Sequence, residues 1–324
     1  MRQWLPAILA PAIAAIAAML TAPLYPHDIA PPSLTVDQGA TLRQVLREGA
    51  KAGVFRTPRF TEWLARLTGN DIPRAGTYRL PDNGSDFDVV RLLHRGAIET
   101  TTVTLLEGWT ALEYANALSR AGIVSRDAFI DATRNPDLLQ RYGIKATEAE
   151  GYLFPETYRF APRLDADTVA DVLVRTFFSR LPATYATMAE RVGLSLHDAV
   201  ILASIIQKET YIPEEMPKVS AVFHNRLRRS MRLQADPTAI YRMPGYNGNL
   251  TRKHLRTPTP YNTYVIRGLP AGPICNPGLD ALLAAVRPAN SDALYFVATQ
   301  DGKHVFSRTL REHNRAVRKH QLGR

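Results

Sequence analysis

One cysteine, Cys275, stands in 324 residues, so no internal disulfide can staple the chain and no cysteine cluster can hold zinc or iron–sulfur. Histidine is scarce too: its eight copies include no HxH or HxxxH pair, which removes the common imidazole metal sites. No repeat at a period of 20–50 residues is present, so solenoids and propellers are excluded. Acid is in short supply, with 30 Asp and Glu against 40 Lys and Arg, a net charge of +10. That excess suits a polyanion: nucleic acid, anionic lipid or an acidic polymer outside the cell. Zinc-finger spacing and RNP-like motifs are missing, so nucleic acid is the weakest of the three. With 45% apolar and 22% charged residues the chain is globular, and long enough for two domains at roughly 150 residues each.

The sharpest absence is local. From Gln3 to Pro26 there is no Asp, Glu, Lys, Arg or His. A run of this length spans a bilayer as a helix, for which about 20 residues suffice. Residues 1–26 are therefore expected to be a transmembrane anchor, with Arg2 and the α-amine holding the N-terminus in the cytoplasm. The rest of the chain is then expected to be extracytoplasmic, on a single-pass membrane protein.

Residues 27–33, Pro-rich, read as an extended linker. Residues 34–98 read as a small α+β module. A strand and a turn at Gly39 lead into a helix with Leu42, Val45, Leu46 and Ala50 on one face. A second helix, Pro58–Leu67, carries Phe60, Trp63, Leu64 and Leu67. A short strand in RAGTYRL and a helix ending at Gly96 follow. The phrases AGTYRL and VVRLLHRG resemble a LysM-like peptidoglycan-binding module. Residues 99–324 read as a larger mixed α+β domain, with helices over 111–121, 166–181, 196–209, 213–229 and 278–287. It ends in a hairpin turning at Asp301-Gly302 and a final basic helix. The basic stretches Arg226–Arg232 and Arg308–Lys319 read as solvated faces.

Chemistry enters at the end of the 196–209 helix. Glu209 lies i+4 from Ile205, i+3 from Ile206 and i+7 from Leu202, and so belongs to the apolar stripe. A carboxyl group there loses hydration, stays protonated to higher pH and suits general-acid work. A glutamate at a helix end that reaches solvent or pairs with an arginine is the plainer reading of the same spacing.

The text around Glu209 decides between them. EGYLFPETY (150–158), ASIIQKET (203–210), VFHNRLRRSMRLQADPTAIY (222–241), TPTPYNTYVIRGLPAGPICNPG (257–278), LYFVA (294–298) and HVFSRTLREHN (304–314) follow in order. Together they resemble the endolytic murein transglycosylase family (MltG, or YceG-like), over essentially the whole chain. The resemblance implies a membrane-anchored lytic transglycosylase. Such an enzyme cuts the MurNAc–GlcNAc bond inside nascent glycan strands, leaves 1,6-anhydroMurNAc ends and so terminates elongation. It implies no cofactor and no metal, peptidoglycan strands as partner, and association with peptidoglycan synthases. The family's catalytic glutamate is the Glu of KET, here Glu209. Tyr261, Asn262 and Tyr264 are candidates for stacking on and hydrogen-bonding to sugars. Gln234, Asp236 and Glu156 are candidates for positioning sugar or acid.

Family members often carry Glu where this chain has Gln207. Two residues turn a helix by about 200°, so Gln207 does not share the face of Glu209. Ala271 and Cys275 are further departures, and Cys275 is expected to be buried rather than reactive. Two alternatives stay open: a membrane-anchored peptidoglycan-binding scaffold without activity, and a hydrolase using Asp236 as second carboxylate.

Overall fold

The computed structural model describes residues 17–18, 20–96, 100–161 and 164–321. They divide into two compact units, one running to Thr101 and including 159–161, the other taking the remainder. The expected anchor falls mostly on residues 1–16 and 19, outside the described residues. Its described end is a 3-10 turn, Ala22–Leu24. No helix among the described residues is long and apolar enough to cross a membrane.

The smaller unit is α+β. Strand β1 (His27–Asp28) pairs antiparallel with β4 (Asn83–Gly84), and β2 (Ser33–Val36) with β3 (Gly76–Arg79). Helices α1 (Leu42–Lys51), α2 (Pro58–Leu67) and α3 (Asp86–Arg95) complete it. Thr41 and Ser85 close capping boxes at the starts of α1 and α3, and left-handed Gly96 ends α3. Leu46, Val54, Tyr78, Val89 and Leu93 form the centre of its core.

Two expectations for this unit are corrected. The segment read as a linker begins as strand β1, and Ile29 is core. The cause is buried Asp86, whose carboxylate accepts hydrogen bonds from His27 Nε2 at 2.8 Å, Arg56 N at 3.0 Å, Thr57 N at 2.7 Å and Thr61 Oγ1 at 3.0 Å. Burial works against the charge, yet those donors hold Asp86 below the usual carboxylate range. The same demand rotates α2. Thr61 and Ala65 face inward, while Trp63 and Leu67, expected on the buried stripe, are exposed.

The larger unit takes up the chain from Thr102 to Tyr158 and again after residue 163, and strand β5 (Thr101–Thr104) forms a two-stranded sheet with β6 (Thr157–Phe160). Between them lie α4 (Ala111–Arg120), α5 (Arg126–Ala132) and α6 (Pro136–Arg141). After β6 come α7 (Ala166–Arg180), α8 (Tyr185–Arg191) and α9 (Leu196–Glu209). Every residue of α9 from Ala199 to Gln207 is buried. Each fully buried Leu or Ile contributes about 1.5–3 kcal/mol, which makes α9 the axis of the unit. Ser195 and Asp198 cap its start reciprocally.

Helices α10 (Met216–Arg228) and α13 (Leu279–Val286) pack against α9 and each other. His224 Nε2 lies 2.8 Å from Ala285 O, pinning α10 to α13. Short helices α11 (Asp236–Ile240) and α12 (Arg252–Arg256) interrupt the loop-rich stretch between. The expected hairpin is present as β7 (Tyr295–Ala298) and β8 (His304–Ser307), with α14 (Leu310–His320) against it.

Candidate active site

Glu209 is the last residue of α9, where the chain leaves helical geometry at extended Thr210. The core that buries α9 thus delivers the carboxyl group to the point where the helix emerges. Glu209 Oε1 is closed off from solvent and has no hydrogen-bond partner among the described residues. Burial foremost, then the nearby negative charge of Asp236, pushes its pKa up to about 8, against a smaller opposing pull from Arg226. A carboxyl with one oxygen enclosed and no donors avoids ionising, and near neutral pH it keeps its proton.

Asp236 opens α11 and is solvent-exposed. The Tyr264 hydroxyl donates to Asp236 Oδ1 at 2.5 Å. Burial first, then Asp236 and Glu209, raises the Tyr264 hydroxyl above its ordinary range. These two residues keep their spacing because their loops are zipped together. Gln234 N donates to Thr263 O at 3.2 Å, Ala235 N to Thr263 Oγ1 at 3.0 Å, and Thr263 N to Thr238 Oγ1 at 3.1 Å. Gln234 itself takes a left-handed φ of 51° and projects at the surface.

Arg226 is the group that sequence reasoning missed. Read as part of a solvated basic face, it is buried. Its Nε donates to Leu294 O at 2.7 Å and its Nη1 to Leu233 O at 2.6 Å. The guanidinium also lies 5.3 Å over the Tyr295 ring, and that ring stacks on His313 at 5.3 Å. A signal was available: Arg226 is i+7 from Val219, i+4 from Val222 and i+3 from Phe223, all buried.

The other expected site residues go elsewhere. Asn262 is fully buried, and its amide donates to His254 O, Leu255 O and Thr257 O, closing the end of α12. Tyr261 stands edge-on to Tyr241 with centroids 4.7 Å apart, near Glu148 and Glu150. Glu156 pairs with Arg180. Of the six supporting candidates, the structure gathers Asp236 and Tyr264 around Glu209.

A second buried network frames the end of α9. Glu150 Oε1 accepts from Ala111 N at 2.9 Å and Asn276 Nδ2 at 3.0 Å, and its Oε2 from the Tyr241 hydroxyl at 3.1 Å. Burial pushes Glu150 up to about 7 in spite of those donors. Asn276 Oδ1 in turn accepts from Gly151 N at 2.8 Å and Leu153 N at 3.2 Å. Gly151 has φ of 87°, and a Cβ there would lie 2.5 Å from Pro273 Cβ and Cγ. Gly151→Ala is expected to cost at least about 2 kcal/mol from strain and overlap, read as a lowered urea midpoint with unchanged slope.

Gln207 faces away from Glu209, as the helical arithmetic predicts. Its Oε1 accepts from Gly278 N at 2.8 Å at the start of α13, and its side chain also bonds Glu107. Cys275 is buried, with Sγ 3.3 Å from Ser204 O.

The YceG-like family model matches residues 34–319 of this chain. The endolytic murein transglycosylase of Bacillus subtilis (strain 168) is 29% identical over 307 residues, 89% of this chain and 84% of that protein. The protein of the same name from Streptococcus pneumoniae serotype 2 is 26% identical over 317 residues. This chain spans 57% of the length of that relative, with 88% of its own residues aligned. A crystal structure of a YceG-like protein from Listeria monocytogenes superposes with a TM-score of 0.61 at 26% identity, covering 87% of this chain and 97% of the other.

Proposed function

The chain belongs to the YceG-like family, and from that premise we propose that it is a peptidoglycan lytic transglycosylase with Glu209 as its acid and base. One observation carries the reading. Oε1 of Glu209 is shut away without a partner among the described residues, on a carboxyl pushed up to about 8. Such a group holds its proton at neutral pH, and its enclosed oxygen has no hydrogen bond to give up when the proton is donated. An inactive scaffold has no use for a buried carboxyl left unsatisfied at a cost of about 1–3 kcal/mol.

In the proposed reaction Glu209 gives its proton to the glycosidic oxygen as the bond from C1 of the muramyl sugar breaks. The bonding pair leaves with that oxygen, which becomes a hydroxyl on the departing glucosamine. The carboxylate left behind faces the field of Arg226, which favours the charged form. It then removes the proton of the C6 hydroxyl, whose oxygen attacks C1 of the same sugar and closes the 1,6-anhydro ring. Both reacting atoms sit in one residue, so high effective molarity replaces an activated water. The substrate's N-acetyl group meets the positive charge that develops at C1. Asp236, fixed by Tyr264, acts through Glu209 by disfavouring its ionisation before the substrate binds.

The proximity of Asp236 to Glu209 favours one other outcome, hydrolysis with two carboxylates. Mass spectrometry of glycan products separates the two, because anhydro ends form without water and hydrolysis adds one. Anhydro ends on uncrosslinked strands are the expected result. Water-bearing ends reassign the enzyme as a hydrolase, and uncut strands leave the binding scaffold.

The uncharged run at 3–26 supports an anchored enzyme on the outer side of the cytoplasmic membrane. Nascent strands as substrate place it beside peptidoglycan synthases. The smaller unit is assigned glycan contact in the LysM-like manner, with exposed Trp63 offering a ring for a sugar face.

A further inference from the structure

Beside the end of α9 lies a cavity of about 1010 Å³, bounded by α4, α5 and α11. Lys208 and Pro237, the chain neighbours of Glu209 and Asp236, form part of its wall. One residue turns a helix by about 100°, so the cavity flanks the acid rather than containing it. Glu209, Asp236, Tyr264 and Arg226 do not line it.

Its walls carry unspent charge of both signs. Arg134 and Arg242 both address the single carboxylate of Glu148, Arg134 from 3.5 Å and Arg242 by hydrogen bond, which leaves one guanidinium charge in excess. Glu150, close by and interacting with Arg242, is pushed up to about 7 by burial, so near neutral pH its charge offsets that excess only in part. On α5, Asp131 has no ion pair or side-chain hydrogen bond among the described residues, and Asp127 has a loose contact of 3.7 Å with Arg126. Ile130, Ile240 and Ile274 add apolar surface among these charges. A sugar offers hydroxyls and no ionic groups. The cavity asks instead for a ligand bearing carboxylate, ammonium and short apolar side chains.

We propose that this cavity binds the stem peptide of the strand being cut. This rests on the peptidoglycan reading above, because the peptide attached to each muramyl lactyl group carries that set of groups. The excess guanidinium charge takes a peptide carboxylate, and the acidic side of α5 takes the free amine. Crosslinking converts that amine into an amide and removes its charge. The cavity therefore selects uncrosslinked, newly made strands over mature wall.

The test uses the full chain and two charge reversals at exposed positions, Asp131→Lys and Arg134→Glu, neither of which disturbs the core. The readout is the ratio of kcat/KM on peptide-bearing strands to that on strands stripped by an amidase. Each reversal is expected to lower this ratio about tenfold through like-charge repulsion. A ratio equal to that of the parent overturns the proposal. A second arm titrates free stem tetrapeptide into Glu209→Gln protein by calorimetry, where saturable binding weakened by either reversal is expected. Absence of binding overturns the proposal whether or not strands are cut. If strands are never cut, the transglycosylase reading fails by itself, and the titration still decides the cavity.

Discussion

Glu209→Gln is expected to lower strand cleavage by about a thousandfold or more and, in the same protein, to raise stability at alkaline pH. The first effect follows from the proposed mechanism, in which Glu209 alone donates and then recovers the proton, since general acid–base catalysis contributes about 10²–10⁴-fold per group. The second follows from linkage. With its carboxyl at about 8 against an ordinary 4.5, the folded state binds more protons than the unfolded state across that window. Stability relative to the unfolded chain therefore falls as pH rises from 4.5 through 8, by an amount on the order of a few kcal/mol. The amide carries no such penalty, so unfolding midpoints of variant and parent should converge below about pH 4.5, separate progressively up to about pH 8, and stay apart beyond it. The parent's cleavage rate should decline about tenfold per unit above pH 8, where Glu209 loses its proton. Parental cleavage by the Glu209→Gln variant would remove Glu209 from the mechanism.

Asn276→Asp is expected to cost about 3–5 kcal/mol, the range for leaving a buried charge without compensation. Asn276 uses all its hydrogen-bonding capacity: Oδ1 accepts from Gly151 N and Leu153 N, and Nδ2 donates to Trp109 O and Glu150 Oε1. An aspartate keeps the shape but donates nothing, and its charge faces the Glu150 carboxyl across a gap of 3.0 Å. Two carboxyls at that distance share a proton, as carboxylate dyads do. The variant should therefore regain part of its stability below pH 5, where a simple packing defect would show no recovery. Urea unfolding at pH 7 and pH 5 measures both points. A variant as stable as the parent at pH 7 would show that the network around α9 does not depend on Asn276.

How much of this was legible in the sequence depended on whether one side chain's surroundings were local. The spans of α2 and α9 were readable from apolar spacing and caps, because helix termini are decided by a few adjacent residues. The inward face of α2 was not, since Thr61 turns in to serve Asp86, 25 residues further on. Counting helical positions put Glu209 on the apolar stripe and the resemblance singled it out as the candidate acid; the same count applied to Arg226 would have moved it from the surface into the core. Asn262 illustrates the opposite error. A polar residue between two tyrosines resembles a sugar-binding cluster, yet its amide closes the end of α12. Glu150 and Asn276 are 126 residues apart and meet only when the chain folds, so no spacing rule links them.

The hydrogen bonds of Gln207 have a direction. Its carbonyl faces the N–H of Gly278, which leaves the NH₂ to serve Glu107. An amide presents both roles at every acidity, whereas a carboxyl would fill the second only while it kept a proton. The last turn of α9 is in this way two-sided. Its rear is blind to pH and holds α13 in place, and its front, one residue pair onward, titrates. In the cycle proposed for Glu209, its proton would therefore come and go while the contacts that hold α9 to α13 stay as they are.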